Sequence, residues 1–335
     1  TQTTSPMTTT HIVQAGDTLY TIATAYGVSM EQLAAVNQLT LADFLYIGDE
    51  LLIPRPDFVP LVVSTAVVTN TFAFEFAFPD DAPTLINGVP YSEILQLSEA
   101  SVAHVQEIFV RGQTLGRNPR AFAKVGDSTV ENDHFLSRFD RPELGYDLGE
   151  YGYLQRVIAY YAGSFGRDSA AVRIGLHAWT MFDPQWAEVG RCEPNESPIE
   201  CEIRLHNPAV VLIRIGSNDV GVPEYYEQSL QQIVEYCLVQ GVIPVMGTKA
   251  DRNDGWDSPN NGIMRDLAAA YDLPLWEYDR VADTLPGRGL DEDGIHMNVY
   301  YSHDYTDPIA YQRGHAMHNL TALVVLDLLT QLVNE

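Results

Sequence analysis

Four residue types that together can carry acyl transfer stand in order along this 335-residue chain. Ser128 closes the turn Gly126-Asp127-Ser128 after the short buried-strand pattern Ala121 to Val125. A serine at the carboxyl end of a first parallel strand sits at the crevice where open α/β sheets place their chemistry. Asn218 lies in Gly216-Ser217-Asn218-Asp219, directly after PAVVLIRI at 208–215, and Asp293 and His296 stand three apart in GLDEDGIHMN. A serine hydroxyl is a poor nucleophile until an imidazole takes its proton, and the imidazole needs a carboxylate to hold its tautomer. Each landmark alone also fits a bland reading: a turn serine, a helix-capping asparagine, a surface Asp/His pair. Their order and strand-end placement together favour catalysis.

The elements that must position these residues read as alternating helices and strands. Ser92 to Arg111 carries Leu95, Val102, Val105, Ile108 and Phe109 mostly at three and four spacing, although Leu97 breaks the stripe. Pro208 to Ile215 reads as a strand buried on both faces despite Arg214, and Gly241 to Met246 as another parallel strand.

Ahead of them, residues 11–54 form a small strand–helix–helix–strand pattern. Thr18 is placed as a helix N-cap after the Gly16-Asp17 turn, Gly27 as a helix end, and Ser29 as a second cap. Between the two parts, Pro54, Pro56 and Pro60 mark a boundary. Residues 61–78 are strongly β-prone there, and Phe72, Phe74, Phe76 and Phe78 share one strand face. Such a face either packs on the following domain or pairs with a second molecule, and packing within the chain is favoured because soluble monomers rarely leave apolar patches bare. The expected organisation is a Ser/Thr-rich segment at 1–9, a small module at 10–54, a β-prone linker at 55–92 and a larger α/β domain at 93–335.

The ordered serine, Gly-x-Asn-Asp turn and Asp-x-x-His pair resemble the SGNH (GDSL-type) hydrolases over roughly the last two-thirds of the chain. The resemblance implies a three-layer parallel-sheet α/β fold, with Ser128 as nucleophile, His296 as its general base and Asp293 as the orienting carboxylate. It also implies an oxyanion hole built from the Ser128 N–H, a glycine N–H and the Asn218 side chain. The glycine landmark departs from the family's pattern. In SFGRDSAAVRIGLHAWTMFDP, Gly175 and Gly163 compete for the role and Ala178 is a third candidate; Gly175 is favoured, at the end of the strand-like AAVRIG and before the helix-like AWTMFDPQW. Asp127 and Asp219 read as loop organisers. No cofactor is implied and no metal is expected: His303, His315 and His318 offer no complete ligand spacing, and DRNDGWD at 251–257 lacks the closing glutamate of a calcium loop. The Tyr-rich NVYYSHDYTDP after His296 reads as a pocket rim or a sheet-edge cover.

The front module resembles the LysM family through GDTLYTIA, the YGVS turn, Asn37 and the closing IGDELLIP. That resemblance implies a small βααβ fold and binding of N-acetylglucosamine-containing glycans such as peptidoglycan or chitin. The groove would lie between Gly16, Asp17 and Thr18 on one side and Leu45, Tyr46 and Ile47 on the other; Gly16, Asp17 and Thr18 also serve as turn and cap residues.

The bulk properties bound the partners. Formal net charge is -26, with only Lys124 and Lys249 beside seventeen arginines, so phosphate backbones and anionic lipid surfaces would be repelled. Apolar residues make up 46%, enough for a filled core. No uninterrupted apolar run reaches membrane-span length, and the apolar tail at 320–333 is broken by Thr321, Asp327 and Gln331. The start TQTTSPMTTT resembles a mature end left after removal of a signal or anchor segment. Cys192 and Cys201 flank a short polar loop and are expected to form a disulfide, whereas Cys237 reads as a buried inert thiol. The combined expectation is an extracellular or cell-surface serine esterase acting on acetylated cell-wall or extracellular polysaccharide. The competing expectation is a cell-surface structural or adhesive protein that uses a hydrolase-like fold and self-associates through residues 61–78.

Overall fold

The computed structural model describes residues 7–14, 17–28, 30–37, 39, 45, 48–54, 74–131 and 133–334. The chain divides into two compact units, Thr1–Thr69 and Asn70–Glu335.

In the first unit, β1 (Met7–Ile12) pairs antiparallel with β2 (Glu50–Pro54), and α1 (Leu19–Tyr26) and α2 (Met30–Asn37) lie between them in sequence. Thr18 caps α1, its Oγ1 accepting the Thr21 N–H at 3.0 Å. Gly27 ends the helix at φ +67°, and the Val28 N–H reaches back to the Ala23 carbonyl, as a left-handed helix end requires. Asn37 ties the helices to the sheet: its Nδ2 donates to the carbonyls of Leu33 and Leu52, and its Oδ1 accepts the Leu52 N–H. Val13, Leu19, Ile22, Leu33, Leu51 and Ile53 fill the core.

The second unit opens with the hairpin β3 (Leu85–Ile86) and β4 (Val89–Pro90), then α3 (Tyr91–Ile94), β5 (Leu95–Gln96) and α4 (Glu99–Thr114). The continuous helix expected from Ser92 is therefore interrupted. Leu95 and Gln96 pair with a sheet edge, and Ser98 restarts the helix by accepting the Ser101 N–H on its hydroxyl. The break in the apolar stripe at Leu97 marks this switch.

The rest of the chain alternates strands and helices: β6 (Asn118–Gly126), α5 (Ser128–Glu131), α6 (Gln155–Tyr160), α7 (Pro198–His206), β7 (Pro208–Arg214), α8 (Pro223–Val239), β8 (Ile243–Gly247), α9 (Pro259–Ala270), β9 (Leu275–Trp276), α10 (Tyr278–Asp283) and α11 (Gly314–Val333). The sheet order is β5-β9-β8-β7-β6, parallel from β6 to β9, with β5 antiparallel at the edge. Every residue of β7 and β8 is buried. Because alternate side chains point to opposite faces, both faces of the sheet are covered, which makes this a three-layer α/β domain. The strand-like AAVRIG is reduced to one bridge, Val172 beside Gly126, followed by a turn and a 3₁₀ helix at Ala178–Phe182.

α11 is long and apolar enough to cross a membrane (20 residues), yet 83% of its apolar window is buried inside the domain, so it serves as a core helix. Residues 55–73, which hold most of the Phe-alternating segment, lie outside the described residues. Phe78 packs on its own domain, against Tyr91 and Tyr153, and the Ala77 N–H donates to Gln331.

Candidate active site

The parallel register brings the ends of β6, β7 and β8 level, with Gly126 opposite Arg214 and Ile213 opposite Met246. The turn after β6 leaves no room for a side chain: a Cβ on Gly126 would meet Val130 Cγ2 at 2.2 Å and the Arg214 carbonyl oxygen at 2.3 Å. Glycine therefore lets the strand turn straight into α5 and leaves Ser128 half-buried at its start.

Ser128 Oγ lies 2.8 Å from His296 Nε2, and His296 Nδ1 lies 2.6 Å from Asp293 Oδ2. The other Asp293 oxygen accepts the backbone N–H groups of Ile295 and His296, both at 2.9 Å. One carboxylate thus orders its own loop and holds the Nδ1 edge of the imidazole. The loop is anchored below: Asn298 Oδ1 accepts the Gly314 N–H at the start of α11, and the Asp291 N–H donates to the His296 carbonyl. Hydrogen bonding from His296, then from the two amides, lowers the Asp293 carboxyl to about 2, below the usual range. A depressed carboxyl pKa means the interaction is fully present above the ordinary value of about 4 and is lost only as pH falls through about 2. Carboxyl ¹³C NMR is expected to show Asp293 titrating near 2; a midpoint near the ordinary value would show that His296 does not hold it.

The Gly216–Asp219 turn faces the serine turn. Gly216 has φ +126°, and a Cβ there would collide with the Tyr226 hydroxyl at 2.8 Å and its ring at 2.9 Å, so only glycine fits. The fully buried Asp127 joins the two turns, accepting the Thr129 N–H (2.9 Å) and the Ser217 N–H (3.3 Å), and its burial raises its pKa. Asp219 accepts the Ala178 N–H on both oxygens at 3.2 Å. Both aspartates hold loops in place. Asn218 Nδ2 donates to the Leu176 carbonyl at 2.9 Å, which leaves the second N–H of that amide for another acceptor.

Of the three competing backbone donors, two are already engaged. The Gly163 N–H donates to Asp140 and the Ala178 N–H to Asp219. Gly175, at φ +80° in the turn closed by the Leu176 N–H on the Arg173 carbonyl, has an N–H with no acceptor among the described residues.

Behind the site, His318 is fully buried between Phe135 and Trp276, with ring centroids at 4.4 and 4.8 Å, and His303 lies against Asn319. Burial lowers the His315 pKa to about 3, so its ring is neutral. Cys192 and Cys201 are disulfide-bonded; Cys237 is a buried free thiol, its pKa pushed up to about 12 by burial.

Residues 11–54 match the LysM domain family. The front module is a LysM domain. Among solved structures, the chain is similar to a GDSL-like lipase from Bacteroides thetaiotaomicron, at 14% identity and a TM-score of 0.36, over 67% of this chain and 96% of that one. No curated protein matches the chain.

Within the LysM domain, Asp17 accepts from His11 Nε2 at 2.7 Å and from the Gln14 N–H, Thr18 caps α1, and Leu45 packs against the core. Gly16, Tyr46 and Ile47 lie outside the described residues, as does Ser29.

Sequence reasoning missed the support under Asn218. The loop that vaguely matched a calcium site holds an ammonium instead: Lys249 Nζ lies 3.1 Å from Asp251 and 2.8 Å from Asp254, with all three side chains buried. Asp251 accepts the Ser217 hydroxyl, Asn253 donates to the Ser217 carbonyl, and Asn260 donates to the carbonyls of Gly216 and Asp219. The available signal was the rarity of lysine: in a chain with two, each stands at or near the end of a buried strand.

Proposed function

We propose that this protein is an extracellular or cell-surface serine ester hydrolase, held to a glycan by its LysM domain and acting on acetylated cell-wall or extracellular polysaccharide. The observation that carries the reading is the hydrogen-bonded line from Asp293 through His296 to Ser128 Oγ. His296 Nε2 takes the hydroxyl proton as Ser128 Oγ attacks the ester carbonyl carbon. The tetrahedral oxyanion is met by the backbone N–H of Ser128, the N–H of Gly175 and the second amide N–H of Asn218. Collapse breaks the ester C–O bond, and the imidazolium gives its proton to the departing alcohol. Water then gives a proton to His296 and attacks the acyl-serine, releasing the acid and restoring Ser128. Asp293 stays a carboxylate throughout and stabilises the imidazolium.

The LysM domain supports a glycan carrying N-acetylglucosamine as the anchor, and the Cys192–Cys201 disulfide supports an oxidising compartment. Two measurements test the reading. A fluorophosphonate probe is expected to label Ser128, and acetate release from a panel of acetylated glycans is expected to exceed that from longer-chain esters. Asn218→Ala is expected to lose about 10²–10³ in kcat. Absence of labelling, together with ordered polymers in light scattering, would overturn the enzyme in favour of a structural surface protein.

A further inference from the structure

The segment between Val172 and Ala187 carries an aromatic cluster that the hydrolytic steps do not use. Its root is fixed beside the serine and Asn218. Val172 bridges to Gly126, the Leu176 carbonyl takes Asn218 Nδ2, and the Ala178 N–H is held by Asp219. Trp179 is the next residue. It is 36% exposed, although Ala178, Thr180 and Met181 in the same turn are buried, so the backbone is clamped while part of the indole reaches solvent.

The neighbours of Trp179 stiffen it. The His177 ring lies 6.1 Å away and nearly parallel, and the half-buried Trp186 ring lies 6.1 Å away and perpendicular. The Arg173 guanidinium sits 5.3 Å over the Trp186 ring and donates to the Trp186 carbonyl at 2.8 Å. An exposed indole held by its neighbours, with His177 beside it and Arg173 on the adjoining Trp186, is matched to a flat ligand with an apolar face and a polar rim.

We propose that Trp179, braced by the perpendicular Trp186 ring, is a stacking platform for a pyranose ring of the glycan whose ester Ser128 cleaves; this rests on the glycan-ester reading above. The C–H face of a pyranose covers the indole, and its outward hydroxyls meet the charged and imidazole groups at the edge. A lipid chain fits less well, since it needs a continuous apolar lining. The platform gives the enzyme a grip on the sugar beside the reacting ester, separate from the grip of the LysM domain.

The distribution of tryptophan makes this testable in the full chain. All four tryptophans (179, 186, 256 and 276) lie in the second unit, so their emission reports on that unit and not on LysM binding. Chitohexaose titrated into the full-length Ser128→Ala protein is expected to give a saturable change in tryptophan emission. Adding Trp179→Ala should abolish that change, while adding Trp256→Phe should leave it intact. In the active enzyme, Trp179→Ala is expected to lower the ratio of kcat/KM on O-acetylated glycan to that on p-nitrophenyl acetate about tenfold. An emission change that survives Trp179→Ala, an unchanged kinetic ratio, or saturation by sodium dodecanoate and not by chitohexaose would overturn the platform. If the parent enzyme releases no acetate from any glycan while the Trp179-dependent response to chitohexaose persists, the platform stands and the glycan-ester reading falls.

Discussion

Replacing Ser128 by alanine is expected to lower turnover of simple esters by about 10⁶-fold, to the level set by the remaining groups. The size of the loss follows from the geometry. Ser128 Oγ is the atom that Nε2 of His296 meets at 2.8 Å, and no second hydroxyl shares that position among the hydrogen bonds of the described residues. Without the hydroxyl no acyl-enzyme forms, and His296 has only water to activate. The combined Ser128→Ala, His296→Ala variant is expected to be no slower than Ser128→Ala alone, because members of such a unit act together and their losses do not add. The residual rate, about 10³–10⁴ above the uncatalysed reaction, would come from the oxyanion donors. Steady-state kinetics on p-nitrophenyl acetate checks both statements, with circular dichroism to verify that the variant is folded. Parent-like turnover in Ser128→Ala would end the assignment.

Lys249→Met is expected to be strongly destabilising. Lys249 Nζ bridges Asp251 and Asp254, and the three side chains are 4%, 2% and 1% exposed. Removing the ammonium leaves two carboxylates close together and out of water, and breaking a buried ion pair from one side typically costs about 3–5 kcal/mol. For a domain of this size that corresponds to a fall in Tm of roughly 10 °C. The triple variant with Asp251→Asn and Asp254→Asn is expected to recover much of the loss, since no unpaired buried charge would then remain. Asp251 also accepts the Ser217 hydroxyl, so Lys249→Met should loosen the turn that presents Asn218 and lower kcat below that of the parent. Thermal melts of the single and triple variants decide the matter. A single variant that melts with the parent would show that the ammonium is not what holds the two carboxylates.

Much of this molecule is legible one segment at a time. The apolar runs that became β6, β7 and β8 carry their burial in composition, and the LysM domain carries caps, a helix-ending glycine and Asn37 at readable positions. Ser128 and Asn218 each lie in a short motif directly after a strand, Asp293 and His296 share a short motif in a loop, and the structure sets Ser128, His296 and Asp293 in one hydrogen-bonded line. The local pattern read less well where an element is defined by its partner. Leu95–Gln96 is a strand because Leu275–Trp276 offers a free edge, and Val172 makes one bridge where a full strand was expected.

What the sequence by itself determined is the set of local conformations and reactive groups, because glycine turns, helix caps and apolar runs act over a few neighbouring residues. Only the tertiary structure decided which amides are spent and which remain. The Gly163 and Ala178 N–H groups are taken by Asp140 and Asp219, brought against them from elsewhere in the chain, whereas that of Gly175 has no acceptor among the described residues. It likewise decided that the cation among the acids of the 251–257 loop is an ammonium from the end of β8, and that Trp179 is exposed next to Ala178, whose N–H Asp219 holds. Such facts depend on which groups meet across long stretches of chain, and no local spacing encodes that.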